Sequence, residues 1–591
     1  MKKQFSFFMA AAALSLTMAS CSQDDYAPDM STPNDIANSY VNVKIVMGGA
    51  PGTRAGEGTF DQGTPEEGAV QSLALYLYDH DGNLVGTGSA GAKELAGYRT
   101  GSGSVSDIYG GVVGVNILPG TAEPEKLIAV VNSGEMVDGR YSTFNSVTSD
   151  VTANLGDTKN GLVMTNSGYY NEDGTSWTQY TSISDANLFD TPQEAAEAAG
   201  TEKSVNIYVE RLAAKVSVKD GTGEQKNEAD YKFVDLEGNE YKAEFVVKKW
   251  SVTGTAPEMY LVKNAYDTNQ NFWANDASLF RSYWAKGLYY GPDWTYDKLA
   301  GGNGPLNYAK ASEILKGGND FNPTYGTPEY VTEHTYGTDA YNSNGYFNHQ
   351  MTGTNVILLG QYQLTALDGG DVNRFEGANE GEYDFYLSLR GFEDGSNTMF
   401  IYSRLDMIKL LLGRNGFSDG VAKKDSPEVE LTDQEYLDNF ALGQDGEGRY
   451  SVDVALDPKF DMVALNNPKL EVNDEALAMG VLNAAHYRNG WSYFFIPIQH
   501  NTQFAAVAGD DNQVGAYGVV RNHSYQLSVN KINGLGAPLD ETQIGDNPED
   551  PGEEDPDVPI IPDPDKLRNA YINATLNVLS WHNYGEQDVE I

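Results

Sequence analysis

Both ends of this 591-residue chain carry the same short period. From Ile572 the residues alternate: Ile572, Ala574, Leu576 and Val578 fall on one side, Asn573, Thr575 and Asn577 on the other. Near the start, Val41, Val43, Ile45 and Met47 alternate with Tyr40, Asn42 and Lys44. A period of two sends successive side chains to opposite faces and marks a strand with one buried side. Similar Val/Ile/Tyr/Thr runs, broken by Gly, Asn and Asp, recur between the two ends. With 63 Gly and 37 Tyr, they predict a mainly β protein with a few short helices. The length predicts two or more domains. The closing strand, within residues 568–591, stands behind a Pro/Asp/Glu-rich tether, residues 545–567. A strand on a flexible acidic tether can pair with another chain as well as with its own.

The first residues read as export signals. Lys2 and Lys3 precede the apolar run Phe5–Met18, which is too short to span a bilayer as a mature helix but suits a signal peptide over residues 1–20. Met18-Ala19-Ser20-Cys21 resembles a bacterial lipobox, which implies cleavage before Cys21, acylation of its thiol and anchoring to the outer membrane. Cys21 is the only Cys, so disulfides within the chain, Cys-based metal sites and a Cys nucleophile elsewhere are excluded. Residues 21–39 are a polar tether.

The first alternating strand, Tyr40–Met47, runs into the Gly-rich loop Gly48–Gly68, with Arg54-Ala55 in its middle. Loops of small residues are where proteases cut. Val70–Tyr78 and Leu84–Gly88, joined across Asp81-Gly82, predict a hairpin. Val205–Lys219 reads as one long strand, followed by strands at Tyr241–Val252 and Met259–Val262. The first domain is placed at residues 55–257 and the second at 258–544. Residues 265–350 are aromatic and aperiodic, as expected for long loops or an insertion. Helices are predicted at Thr191–Ala199, at Ser403–Leu412, after the capping box Thr432-Asp433-Gln434-Glu435 and at Asp474–Tyr487. Trp491–Ile498 and Asn522–Lys531 read as strands.

Catalytic chemistry finds no footing. HExxH, GxSxG and P-loop motifs are absent, and the seven His residues lack metal or triad spacing. Gly86–Gly91 matches GxGxxG without the βαβ context that dinucleotide binding requires. The clusters Asp79–Asn83, Asn171–Gly174 and Gly509–Asn512 lack the Glu that closes a Ca²⁺ loop and are explained by turn chemistry. The sequence therefore indicates no enzyme, no cofactor and no metal. The net charge of −45, from 39 basic and 84 acidic residues, repels polyanions and excludes nucleic acid as a partner.

Several segments together resemble the fimbrillins, the type V pilus subunits of Bacteroidota. They are Tyr493–His500, Tyr517–Leu527, Ile532–Gly536 and Asn577–Trp581 near the C-terminus, with Val209–Val216 and Tyr260–Asn264 earlier. The lipobox and the Arg54-Ala55 loop fit that family's precursor layout. The resemblance implies two tandem β-sandwich domains of transthyretin-like, Greek-key type and an extended C-terminal strand segment. It implies a lipoprotein precursor cut after Arg54 by an extracellular trypsin-like, Arg-specific protease. Residues 40–54, carrying Val41, Val43, Ile45 and Met47, would be lost. This would strip a sheet of its edge strand and bare a groove, which Ile572, Ala574, Leu576 and Val578 of another subunit would fill. The partners are then other copies of the chain and other fimbrial subunits, in a cell-surface fimbria. In the unassembled precursor the closing strand is expected to be loosely packed or extended away from the body. A tip or accessory adhesin, which needs the groove but no donor strand, and a surface glycan-binding lipoprotein using the Tyr and Trp residues of 265–350 are the alternative readings.

Overall fold

The computed structural model describes residues 37–47, 63–98, 108–134, 140–170, 177–221, 232–265, 282, 284–300, 302, 304–337, 350–388, 398–414, 423–424, 429–444, 450–454, 484–500, 517–539, 543–544, 558–563 and 570–580. The fold is mainly β.

Seven strands of the first unit form a ring. They are β1 (Ser39–Val46), β2 (Ser72–Tyr78), β3 (Leu84–Gly91), β4 (Ile108–Ile117), β5 (Lys126–Val131), β6 (Met164–Asn166) and β7 (Val205–Arg211). The order β1-β7-β6-β5-β2-β3-β4 returns to β1, so the expected sandwich closes into a barrel. Val41, Val43, Ile45 and Met47 join Leu73, Leu75, Leu77, Val113 and Ile207 in its interior. β2 and β5 are apolar on both faces because Tyr76, Tyr78 and Ile128 are covered from outside by Leu212, Met259 and Leu261. The Gly86–Gly91 motif lies within β3. A Cβ at Gly88 would stand 2.8 Å from the Gly114 carbonyl of β4, so close approach of the two strands explains that glycine. Gly82 (φ +83°) turns the predicted hairpin, and the Asp79 carboxylate accepts from the Asn83 amide at 2.8 Å.

The second unit is a sandwich. One sheet holds β8 (Ala214–Asp220), β11 (Glu329–Val331), β17 (His523–Gly534) and β19 (Ala570–Ser580), in the order β11-β8-β17-β19. The other is built on β9 (Lys232–Val234), β10 (Glu240–Thr253), β12 (Asn355–Asp368), β13 (Phe385–Ser388), β14 (Thr398–Tyr402), β15 (Ala484–Tyr487), β16 (Trp491–Pro497) and β18 (Ala537–Pro538), ordered β15-β13-β14-β9-β10-β12-β16-β18. Val216, Val218, Tyr525 and Leu527 of the first sheet pack against Trp250, Leu358, Tyr362 and Phe494 of the second.

Several expectations change here. Val205–Lys219 is two strands: the chain leaves the barrel at Leu212-Ala213, and β8 joins the sandwich. A continuous alternating pattern does not record a change of sheet. Strands β8 to β10, expected within the first unit, therefore pair with strands of the second, while Met259-Tyr260 returns to pair with Val151-Thr152 beside the barrel. Of the expected helix Asp474–Tyr487, residues 474–483 lie outside the described residues, and 484–487 form β15 against β13. Strand pairing there overrides helix propensity. The other helices stand. α1 (Pro192–Glu197) has Thr191 as its N-cap, α2 is Arg404–Arg414, and α3 (Asp433–Asn439) opens on the Thr432/Glu435 capping box.

The two units meet over buried charge. Arg521, fully buried, pairs with Glu333 at 3.2 Å and donates to the Leu261 carbonyl at 3.0 Å. Lys263 pairs with Glu210 at 3.2 Å, also buried. Ions removed from water must keep their partners, and losing one costs more than the pair contributes. Arg521→Met should therefore lower stability by about 3–5 kcal/mol in urea denaturation.

Two histidines near this junction are held neutral by burial. His334 is pushed down to about 4 and donates from Nε2 to the Thr352 carbonyl at 2.9 Å. His523 is pushed down to about 3 by burial and then by the Lys263 charge. The unfolded chain binds these protons near pH 6.5, before the folded chain does. Their contribution is full above that pH and is lost as pH falls toward 4. The urea midpoint should drop between pH 6.5 and 4, and His334→Gln should flatten the drop if it folds; a pH-independent midpoint would contradict this.

Candidate functional site

The two end strands define the site. β1 is an interior stave rather than the expected edge. On one side it pairs antiparallel with β4 over its whole length, from Ser39 opposite Val115 to Val46 opposite Ile108. On the other it runs parallel to β7, with Val43 opposite Val205 and Val46 opposite Tyr208. Val41, Val43, Ile45 and Met47 are at most 2% exposed. The outer face is also used: Asn42 is buried, and its Oδ1 accepts from the Ser204 hydroxyl at 2.6 Å. Just before β1, the Asn38 side chain donates to the Ile117 carbonyl and accepts from the Ile117 amide, both at 2.8 Å, extending the ladder. At its start β1 also pairs antiparallel with Leu188-Phe189, so its removal would leave β4 on one side and β7 with Leu188-Phe189 on the other, unpaired across an apolar slot.

Arg54 and Ala55 lie outside the described residues, as does Cys21. Where the chain re-enters, it is pinned independently of β1. Glu67 is buried, accepts from the Thr64 amide at 2.9 Å and pairs with Lys215 at 3.1 Å. Its carbonyl accepts from Arg211 Nε at 2.9 Å, and Tyr330 donates its hydroxyl to the carboxylate. Periodicity could not reveal this anchor. Glu67 sits in a Gly/Pro-rich loop, and its partners lie 144 to 263 positions away.

The closing strand does not extend away from the body. β19 pairs antiparallel with β17 along its whole length and forms the edge of the four-stranded sheet. Ile572, Ala574, Leu576 and Val578 stand opposite Ile532, Val529, Leu527 and Tyr525, with a bulge near Asn530. Those four β17 residues are buried in the sandwich core. An unpaired β17 edge beside a tethered complementary strand is a template that the chain fills itself. The tether also departs from expectation. Residues 558–563 dock on the sandwich: Ile560 is fully buried in the core, and its amide donates to the Ala309 carbonyl at 2.9 Å. The apolar Val558-Pro559-Ile560-Ile561 run inside an acidic stretch is the sequence reason.

Other sequence candidates have structural roles. His486 pairs with Asp384 at 2.8 Å, His500 meets the Tyr525 hydroxyl at 2.7 Å and His80 pairs with Glu125 at 2.9 Å. Among the described residues no group of His, Cys, Asp and Glu could hold a metal, and no helix is long and apolar enough to cross a membrane. Trp284, Tyr289 and Tyr336, from the aromatic segment, are buried in small cores rather than displayed as a flat patch.

Two family models match the chain at the places where these strands lie. The major fimbrial subunit protein (FimA) model covers residues 39–211, from the start of β1 to the end of β7. The C-terminal model of fimbrillin, major fimbrial subunit protein type IV, covers residues 485–587, including β17 and β19. Over these two spans the chain matches the fimbrillin family of major fimbrial subunit proteins. Among solved structures, a fimbrilin from Porphyromonas gingivalis W83 is similar at 14% identity over 93% of this chain and 99% of its own (TM-score 0.32). A fimbrial assembly protein from Parabacteroides distasonis shares 14% over 56% and 85% (TM-score 0.26). The tip fimbrial protein Mfa3 from P. gingivalis shares 12% over 58% and 85% (TM-score 0.25). No curated protein sequence matches the chain. The family assignment rests on the two family models.

If Ile560 holds the tether down, Ile560→Ala should raise hydrogen exchange across residues 558–563 by about 30-fold or more, from the loss of a buried aliphatic side chain. Unchanged protection would show that the docking does not depend on it.

Proposed function

We propose that this protein is a shaft subunit of a cell-surface fimbria, exported as a lipoprotein acylated at Cys21 and anchored in the outer membrane until it matures. An extracellular Arg-specific protease cuts between Arg54 and Ala55. β1 then leaves, and the closing strand of another copy enters the slot, with Ile572, Ala574, Leu576 and Val578 supplying the apolar side that Val41, Val43, Ile45 and Met47 supplied before.

One observation carries this reading: β1 is a full-length stave, paired on both sides, and lies just before the Arg54 loop. Its loss leaves a slot that only another strand can fill, because backbone groups on β4 and β7 need partners. The Glu67 anchor supports it, since the chain after the cut stays fixed at Thr64–Glu67 while β1 departs. The closing strand supports it as an edge element with the same period, free to exchange one template for another. Contact of slot and strand between successive copies is head-to-tail and need not close, which gives a filament. Residues 1–54 carry four basic and four acidic groups, so maturation leaves the charge at −45. Copies repel on average, and specific strand pairing must overcome that. A tip subunit needs the slot alone; the presence of both slot and strand favours the shaft.

In a protease-bearing host, Arg54→Ala should abolish the ladder of polymers on mild gels, and deletion of residues 570–591 should leave folded monomers. Polymers at the parent level from either variant would contradict the proposal.

A further inference from the structure

The slot left by β1 can in principle be filled in either direction. We propose that the closing strand enters it in the same direction as β1, with Tyr571 and Asn573 taking the positions of Tyr40 and Asn42. The inference rests on the strand-replacement reading above and adds polarity, register and a polar key.

The observations are local. Tyr40-Val41-Asn42-Val43-Lys44-Ile45 and Tyr571-Ile572-Asn573-Ala574-Thr575-Leu576 have the same order of residue types, with Tyr and Asn identical on the outer face. That face of β1 makes specific contacts. Asn42 is buried and accepts the Ser204 hydroxyl at 2.6 Å, immediately before β7. Tyr40 stands opposite Gly114 on β4, where a large ring has room across the strand, and opposite Phe189 on its other side. In the parallel placement Asn573 meets Ser204 and Tyr571 meets Gly114. In the reversed placement Asn577 reaches the Asn42 position, but Leu579 replaces the tyrosine. Val46, also buried, receives an Asn in either direction, so it does not separate them.

The backbone favours the same answer. β1 is antiparallel to β4 and parallel to β7. A strand entering in the same direction reuses the donors and acceptors that β1 used, with both walls of the slot where they already stand. A reversed strand would need parallel spacing on β4 and antiparallel spacing on β7, and the hydrogen-bond patterns of the two ladders differ. Asn573 is thereby a register-setting residue: a slip by two residues would bring Tyr571 or Thr575 to Ser204, and a slip by one would turn every apolar side chain outward.

The test uses cysteine pairs in the full chain. Maturation after Arg54 removes Cys21, so the mature subunit has no background thiol. Val112 stands opposite Asn42, at a spacing that suits a disulfide between directly opposed residues. Val112→Cys combined with Asn573→Cys should give oxidised polymer ladders that collapse on reduction, while combinations with Thr575→Cys or Asn577→Cys should not. Ladders from the Asn577→Cys pair would show the reversed direction, and ladders from the Thr575→Cys pair a slipped register. Either outcome overturns the inference, as does assembled polymer with no ladder from any pair. Should Val112→Cys block assembly, Tyr109, opposite Ile45, provides a second site: Tyr109→Cys should link to Leu576→Cys and not to Ala574→Cys. Asn573→Ala should speed dissociation of polymer about fivefold, as expected for one hydrogen bond, with Asn577→Ala near the parent. Polymer that persists without residues 570–591 would instead refute strand replacement itself.

Discussion

β1 closes the barrel. Its four inward side chains are almost fully removed from water, and burial of each contributes about 1.5–3 kcal/mol. Together they contribute roughly 6–12 kcal/mol, comparable with the whole net stability of an ordinary domain, about 5–15 kcal/mol. To this are added backbone hydrogen bonds to β4 on one side and β7 on the other. A barrel that has lost this strand has a defect that side-chain rearrangement cannot mend, because the missing groups are main-chain as well as apolar. Only another extended segment of matching period supplies both. In the proposed maturation, stability before the cut and reactivity after it would come from the same short segment, Ser39–Met47.

The surrounding structure limits how far that defect can spread. Glu67, Arg211, Lys215 and Tyr330 fix the chain just beyond the loop that follows β1, and they bridge barrel and sandwich. The Arg521–Glu333 and Lys263–Glu210 pairs lock the same junction. Buried charge is costly when broken, so the junction would resist opening during the proposed exchange of β1. At the other end, Ile560 divides the tether. Only residues 564–569 separate the docked segment from β19, a span of roughly 20 Å when extended. In the proposed assembly, a closing strand that serves a neighbour would have to use the reach of these six residues or release Ile560.

Much of this was legible in the sequence because strand period is a local signal. The alternation of Val41–Met47, Trp491–Ile498 and Asn522–Lys531, the Asp81-Gly82 turn and the Thr432 capping box all gave elements that the structure contains. What failed was long-range. The change of sheet at Leu212-Ala213 leaves the two-residue period unbroken, so β7 and β8 read as one strand. Closure of the barrel depends on β1 meeting β4, some seventy residues away, and nothing in either strand records it. The docking of Ile560 was hidden by the Pro and Asp residues around it. The pairing of β19 with β17 was likewise invisible, because a period of two states that a strand has a buried face and not which sheet buries it. The site was legible as two strands of matching type; that one is an interior stave and the other an occupied edge required the fold.

The central claim is that β1 is absent from the assembled protein and that another strand stands in its place. The N-terminal residue of subunits isolated from polymer tests it most directly. Ala55 is the predicted result, with residues 39–46 missing from the peptide map. Polymer whose subunits begin at Cys21 and retain Ser39–Val46 would contradict the account.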